Sequence, residues 1–136
     1  MAHRSAGDRE GETGDAALAL VREVGTLILA HERYRDDWRS LALVGNFSGG
    51  RENLYGYVYG PGAAWEARLP GIEVLRLLRR LNDAMADASG RRWQRCLIQM
   101  RRDDPEIGIA FEYDDPQRWS VSPDTVARDV LALRPT

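Results

Sequence analysis

Residues 107–113 alternate between large apolar and smaller or polar side chains, and no other pattern in the sequence constrains the fold as strongly. The apolar positions are Ile107, Ile109, Phe111 and Tyr113, and the positions between them are Gly108, Ala110 and Glu112. A period of two places the two sets on opposite faces of a β-strand. A strand with one apolar face belongs to a sheet that buries that face against other elements. The sequence therefore predicts a sheet covered by helices.

Four more segments have the composition of strands, three of them bounded by turn residues. They are Trp38–Phe47, Glu52–Gly60, the weaker Ala64–Leu69, and Arg92–Arg101. Paired glycines in Ser48–Arg51 favour a tight turn because glycine reaches positive φ without steric cost. Connections of this length predict antiparallel pairing of the strands.

Three helices complete the predicted order. Apolar residues at three-and-four spacing indicate helices over Asp15–Glu32 and Ile72–Ala88, with Asp15 as N-cap and Gly90 ending the second. Ser122, Pro123 and an acid in the first turn predict a third helix near the end of the sequence. The order α-β-β-(β)-α-β-β-α indicates an α+β fold, an antiparallel sheet of about five strands with helices packed on it.

The length of 136 residues fits one domain. Residues 1–14 lack apolar periodicity and are rich in Gly and charge, so we expect a disordered tail over 1–14 and a single domain over 15–136. No apolar run approaches the roughly 20 residues of a membrane span, and the acidic start is unlike a signal peptide. These features predict a cytoplasmic protein with no membrane contact.

Charge is segregated along the sequence. Residues 76–102 carry eight Arg against two acids, and residues 103–124 carry seven acids against Arg118. The net charge of −2 gives no reason to expect direct nucleic-acid binding. All 19 basic side chains are Arg, which a GC-rich genome explains most simply.

The residue types that usually carry catalysis or bind metals are few and unpartnered in the sequence. His3 lies in the predicted tail, and His31 ends a helix with no ligand at metal spacing. Cys96 lies within an apolar strand, which favours a buried structural thiol over a reactive one. We therefore predict no catalytic residues, no metal, no cofactor and no enzyme activity.

A row of tyrosines, Tyr55, Tyr57 and Tyr59, falls on one face of the second strand. Such a row stacks bases in some RNA-binding sheets, but no basic flanks or matching motif accompany it here. Core packing or a protein-contact face is the favoured interpretation.

Acidic residues at turns form the most distinctive polar feature. The candidate partner-binding residues are Asp103, Asp104, Glu106, Glu112, Asp114 and Asp115, with Trp119 beside them. Because the acids fall at opposite ends of the last predicted strand, they cannot share one compact metal site. Two interpretations stay open: solvated turn acids, or an acidic docking surface for a basic partner. Trp119 is either an exposed binding residue or a cap on the core.

Several segments together resemble the YezG-like family of bacterial antitoxin and immunity proteins. They are the amphipathic first helix, Trp38 at the start of a strand, Asn53–Tyr59, the Leu-rich Val74–Leu81, the Trp-headed Arg92–Ile98, and Ile107–Asp115. The resemblance implies a cytoplasmic immunity protein that binds and neutralises a cognate toxin, often a nuclease, without catalysis. It does not assign contact residues.

A second likeness, of element order alone, is to secretion chaperones of the type III class. That likeness implies a homodimer that binds a segment of a secreted client protein. The sequence leaves the choice between monomer and homodimer open.

Overall fold

The computed structural model describes residues 6–135 and contains one five-stranded antiparallel sheet. Its strands are β1 (Ser40–Asn46), β2 (Asn53–Tyr59), β3 (Trp65–Ala67), β4 (Arg95–Arg101) and β5 (Asp104–Glu112). The strand order is β3-β2-β1-β4-β5, so the most apolar strand, β1, lies at the centre. Hairpins join β1 to β2 and β4 to β5, as their short turns require.

Three α-helices pack on this sheet in the described part of the chain. They are α1 (Ala6–Ala30), α2 (Ile72–Ser89) and α3 (Val126–Ala132), with short 3₁₀ helices at Glu32–Tyr34 and Pro123–Thr125. The predicted α+β class and the order of helices and strands are therefore confirmed. Gly90 ends α2 with a φ of 78°, a left-handed conformation that costs glycine little.

The larger core lies between the sheet and the helices α1 and α2. Leu41, Leu43 and Ile98 from the sheet belong to one buried cluster with Ile28 of α1 and Leu78 of α2, and all five are fully buried. These residues follow the period of two in the strands and the three-and-four spacing in the helices, so the sequence pattern and the packing agree.

A smaller core covers the opposite face of the sheet. Ala42 and Val44, which alternate with the first set along β1, pack beneath Val130 of α3 and Leu133 just after it. A hydrogen bond of 2.6 Å runs from the Tyr59 hydroxyl to the Val130 carbonyl and fastens α3 to the sheet. Both faces of the central strands are thus buried, which explains why β1 is apolar on both sides.

One buried amide joins α2 to the segment before β4. Asn82 is 2% exposed, accepts a hydrogen bond of 3.1 Å from the Trp93 backbone N–H, and donates one of 2.9 Å to the Trp93 carbonyl. The Trp93 ring is buried against Phe47 and Phe111. Asn82 therefore satisfies two backbone groups that no strand partner reaches.

Several predicted boundaries differ from the structure. Helix α1 begins at Ala6, so Asp15 is inside the helix and is not its N-cap. Of the predicted tail, residues 1–5 lie outside the described residues and 6–14 have helical backbone; the division into tail and domain stays a prediction. Strand β5 begins at Asp104, which we assigned to a turn. Trp119 has a φ of 65°, a left-handed backbone conformation that is rare for any residue other than glycine.

Candidate functional site

The predicted acidic residues occupy the two ends of β5. Asp103, Asp104 and Glu106 lie at its start, while Glu112, Asp114 and Asp115 lie at its end. The eight-residue rise from Asp104 to Glu112 separates the two groups by about 26 Å. Within residues 6–135 no group of three or more His, Cys, Asp or Glu side chains is placed to hold a metal ion. The acids therefore form two separate groups, one at each end of β5.

At the start of β5 the acids are exposed and held by short-range contacts. Asp103 forms an ion pair of 3.1 Å with Arg101, and the Asp104 carboxylate accepts a hydrogen bond of 3.1 Å from the Glu106 backbone N–H. An exposed pair of this kind contributes little to stability. These carboxylates remain accessible to a partner.

At the end of β5 Glu112 stabilises the following turn. Its carboxylate accepts hydrogen bonds from the backbone N–H groups of Asp114 (2.9 Å) and Asp115 (3.1 Å), and from the Arg118 guanidinium (2.8 Å). The Asp114 N–H bond, then Arg118 and the Asp115 N–H, lower the pKa of Glu112 to about 2. The Glu112 carboxylate is therefore occupied by hydrogen bonds within its own turn, which the sequence did not indicate.

Asp114 and Asp115 are exposed beyond that turn. Asp114 pairs with Arg91 at 2.7 Å, and the Asp115 carboxylate accepts a hydrogen bond of 2.9 Å from the Gln117 backbone N–H. The basic block and the acidic block of the sequence therefore meet at this point. Both carboxylates keep one face toward solvent.

Trp119 caps the second core. It is half-buried, its carbonyl accepts a hydrogen bond of 2.5 Å from the Tyr55 hydroxyl, and the Arg118 guanidinium stacks 4.5 Å from its ring centre. Of the two interpretations left open for Trp119, the structure favours the cap. The Trp119 ring therefore packs on the second core on one side and against the Arg118 guanidinium on another.

The tyrosine row is covered by the chain itself. Tyr59 is fully buried, Tyr57 meets Trp65 edge to face at 5.7 Å, and Tyr55 donates to Trp119. Burial raises the pKa of Tyr55 to about 12. The row therefore serves core packing, and its rings are not presented as a stacking platform for bases.

Sequence reasoning missed Arg95, the most buried basic side chain of the described residues. It is 7% exposed and donates a hydrogen bond of 2.8 Å to the Tyr55 hydroxyl, while its Nε has no partner. Its neighbour across the ladder, Glu112, turns its carboxylate to the Asp114 turn instead. The sequence signal was the alternation of β4, which places Arg95 on the α3 face.

Strand β5 is an edge strand, with β4 as its only neighbour among the described strands. Gly108 and Ala110 are exposed on the α3 face, while Ile107 and Ile109 are half-buried on the α1 face. An edge strand presents unpaired backbone N–H and C=O groups to a second chain. This edge is the stretch that the two acidic groups bracket.

An open apolar groove of about 620 Å³ runs beside the start of β5. Its walls come from α1, Met100 and the first residues of β5; they are Leu18, Val21, Arg22, Gly25, Thr26, Leu29, Met100, Glu106 and Ile107. Leu18 and Leu29 are 47% and 44% exposed, unusually high for large apolar side chains. Such an uncovered apolar surface next to charged residues is typical of a protein-binding surface.

Cysteine and histidine are the residue types that most often carry catalysis in small proteins, and here Cys96 and His31 both have structural roles. Cys96 is fully buried, as the sequence predicts, and burial raises the pKa of its thiol to about 12. The His31 Nδ1 accepts a hydrogen bond of 3.2 Å from the Arg33 backbone N–H and caps the first 3₁₀ helix.

No protein-family model matches the sequence, and the search of curated proteins finds no match to it. None of the helices among the described residues is long and apolar enough to cross a membrane.

Proposed function

We propose that this chain is an immunity protein that binds a cognate bacterial toxin domain in the cytoplasm and neutralises it without catalysis. The observation that carries the proposal is the docking surface formed by the β5 edge, the α1 groove and the acids at both ends of β5. The local likeness to YezG-like immunity proteins supplies the class of partner. A nuclease domain fits best, because a protein that binds nucleic acid is commonly basic.

The charges of the docking surface support a basic partner. Asp103, Asp104 and Glu106 are all exposed at one end, and Asp114 and Asp115 at the other. Complementary charges of this kind steer association and reject wrong partners more than they add affinity. The exposed apolar side chains Leu18 and Leu29 supply the surface whose burial adds affinity.

Co-expression with the toxin domain encoded beside this chain tests the proposal. We expect protection of the cells and a stable one-to-one complex. Neutralising Asp103, Asp104 and Glu106 together, as Asn, Asn and Gln, should slow association by roughly tenfold at low salt and leave dissociation nearly unchanged. A matched variant neutralises three exposed acids elsewhere, Glu23, Asp37 and Asp87, and should associate at the normal rate.

Failure of the co-expressed chain to protect cells would refute the proposal. Equal effects of the two triple variants would instead show that only net charge matters and that this surface is not the contact.

A secretion chaperone or adaptor is the second candidate function. The observed order α-β-β-β-α-β-β-α is the order of the type III class of chaperones, and the exposed apolar stripe of α1 is suited to a client segment. This candidate requires a homodimer. A monomer in multi-angle light scattering at all concentrations would rule it out, while a stable dimer would favour it over the immunity role.

A further inference from the structure

We propose that β5 accepts an extended segment of the partner as a sixth strand, and that this segment carries basic residues at both ends of an apolar stretch. The inference rests on the proposed function, because it specifies how the toxin domain is held. It assigns the backbone of residues 107–111 as the main contact. The apolar side chains of the added strand would enter the α1 groove.

The central part of β5 lacks the features that normally protect an edge strand. Lysines, prolines and bulges keep edges from pairing with other chains. The register shift in the β4–β5 ladder lies toward the start of β5, opposite Gln99–Arg101, and Pro105 is the second residue of the strand. From Gly108 to Phe111 the ladder is regular, and all residues from Ile107 to Phe111 are small or apolar. Five residues offer an edge of about 16 Å.

The groove gives the added strand a place for its side chains. Alternate residues of a strand point to the same face, so every second residue of a strand beside β5 would point toward α1. There it would meet Ile107 and the exposed Leu18 and Leu29. On the opposite face Gly108 and Ala110 leave open space. Strand addition would thus bury apolar surface in addition to satisfying backbone groups.

The acids disfavour symmetric pairing of β5 with a second copy of this chain. They are placed symmetrically about Ile109, since Glu106 and Glu112, Asp104 and Asp114, and Asp103 and Asp115 are equally distant from it along the chain. Two-fold antiparallel pairing of β5 centred on Ile109 would bring Glu106 directly opposite Glu112, and would bring Asp103 and Asp104 of one copy near the turn that holds Asp114 and Asp115 of the other. Like charges directly opposite each other destabilise a strand pair. The same arrangement favours a strand with basic ends.

The first experiment uses three synthetic peptides as probes. The first alternates Val and Thr over seven residues between two lysines at each end; the second has glutamates at the ends, and the third is the lysine peptide N-methylated at all seven central amides, which removes the donors of both edges. We expect only the first to bind, and to slow hydrogen exchange by about tenfold or more at those amides of residues 107–111 that face away from β4. Equal binding of all three peptides, or protection at another strand, would overturn the proposal.

The protein without peptide supplies two further outcomes. Slow exchange, equal to that of β1, at those amides of residues 107–111 that face away from β4 would show in a monomer that the chain itself already covers the edge. A dimer whose formation slows exchange there would show self-pairing. Either result overturns the proposal, and fast exchange in a monomer supports it.

Variants of the exposed face separate this inference from the proposed function. Gly108→Lys and Ala110→Lys add edge lysines where no side chain is in the way, and Ala88→Lys adds the same charge on α2. We expect the β5 variants to weaken binding of the lysine peptide and of the toxin domain by tenfold or more relative to Ala88→Lys. Toxin neutralised equally well by all three variants would refute strand addition and leave the immunity role intact. Peptide binding without protection from any toxin would support strand addition and refute the immunity role.

Discussion

Replacement of Asn82 by alanine tests whether the buried amide supports the fold as the structure indicates. The substitution removes the hydrogen bonds of 2.9 and 3.1 Å to Trp93 and leaves the Trp93 carbonyl and N–H without partners in a buried place. Each buried group left unsatisfied costs about 1–3 kcal/mol, so we expect a loss of about 2–5 kcal/mol. That loss is a large part of the roughly 5–15 kcal/mol of a typical domain.

Urea unfolding monitored by tryptophan fluorescence measures this loss directly. The midpoint should fall with an unchanged m-value, and Tm should drop by roughly 6–20 °C. Asn53→Ala is the matched control, because Asn53 is exposed at the start of β2, and it should change stability by about 0.5 kcal/mol or less. Equal midpoints for the two variants would refute the role assigned to Asn82.

Asn82→Asp distinguishes the two hydrogen bonds. The new carboxylate can still accept from the Trp93 N–H, but it faces the Trp93 carbonyl with no proton to donate. Burial should raise the pKa of the new carboxyl. This variant should therefore be unstable at neutral pH and should regain stability relative to the wild type as pH falls through that pKa, since the protonated form can donate. Parallel stability curves over pH would contradict this assignment.

Three further predictions concern single side chains. Gly56→Ala should destabilise the protein by about 1–3 kcal/mol or more in urea unfolding, because the added Cβ would lie 2.1 Å from Leu43 Cδ2 and 2.8 Å from a backbone oxygen; an unchanged midpoint would contradict the close approach of β2 to β1. Gly25→Ala should stabilise it by about 0.5–1 kcal/mol, because a Cβ there meets Ile107 at an ordinary 3.7 Å; a lower midpoint would show a tighter contact. Because the pKa of Glu112 is lowered, its ionised carboxylate stabilises the fold above pH 4.5, the ordinary pKa of the group, and this stabilisation is lost as the pH falls toward about 2. The drop in Tm over that pH range should therefore be smaller in Glu112→Gln. An identical drop would show that the carboxylate is not bound in the turn.

The sequence predicts those parts of the fold in which one local pattern decides the structure. The alternation in β1 correctly separates Leu41 and Leu43 from Ala42 and Val44, because strand geometry alone assigns them to opposite faces. The start of α1 is missed because helices are recognised by apolar spacing, which residues 6–14 lack. Trp119 is missed for a different reason. Positive φ is expected at glycine or asparagine, and only the packing around Tyr55 holds a tryptophan there.

The candidate site is predictable to a similar degree. Hairpin pairing alone places the acids at the two ends of β5. It does not show that Glu112 is committed to the Asp114 turn, because that depends on which way one carboxylate rotates. The groove beside Leu18 and Leu29 depends on how α1 crosses the sheet, a tertiary property that no local pattern encodes.

Because Cys96 is buried, the rate at which its thiol reacts reports how often the folded protein opens. It is the single cysteine of the chain, it lies in β4 directly beside the proposed docking strand, and its thiol has no access to solvent in the folded state. A thiol reagent can react with it only after the sheet opens around β4 or the helices α1 and α2 separate from it, so the labelling rate counts those openings. A strand added to β5 would slow the labelling. The labelling rate of Cys96 would then measure partner binding at the β5 edge, with no label on the partner.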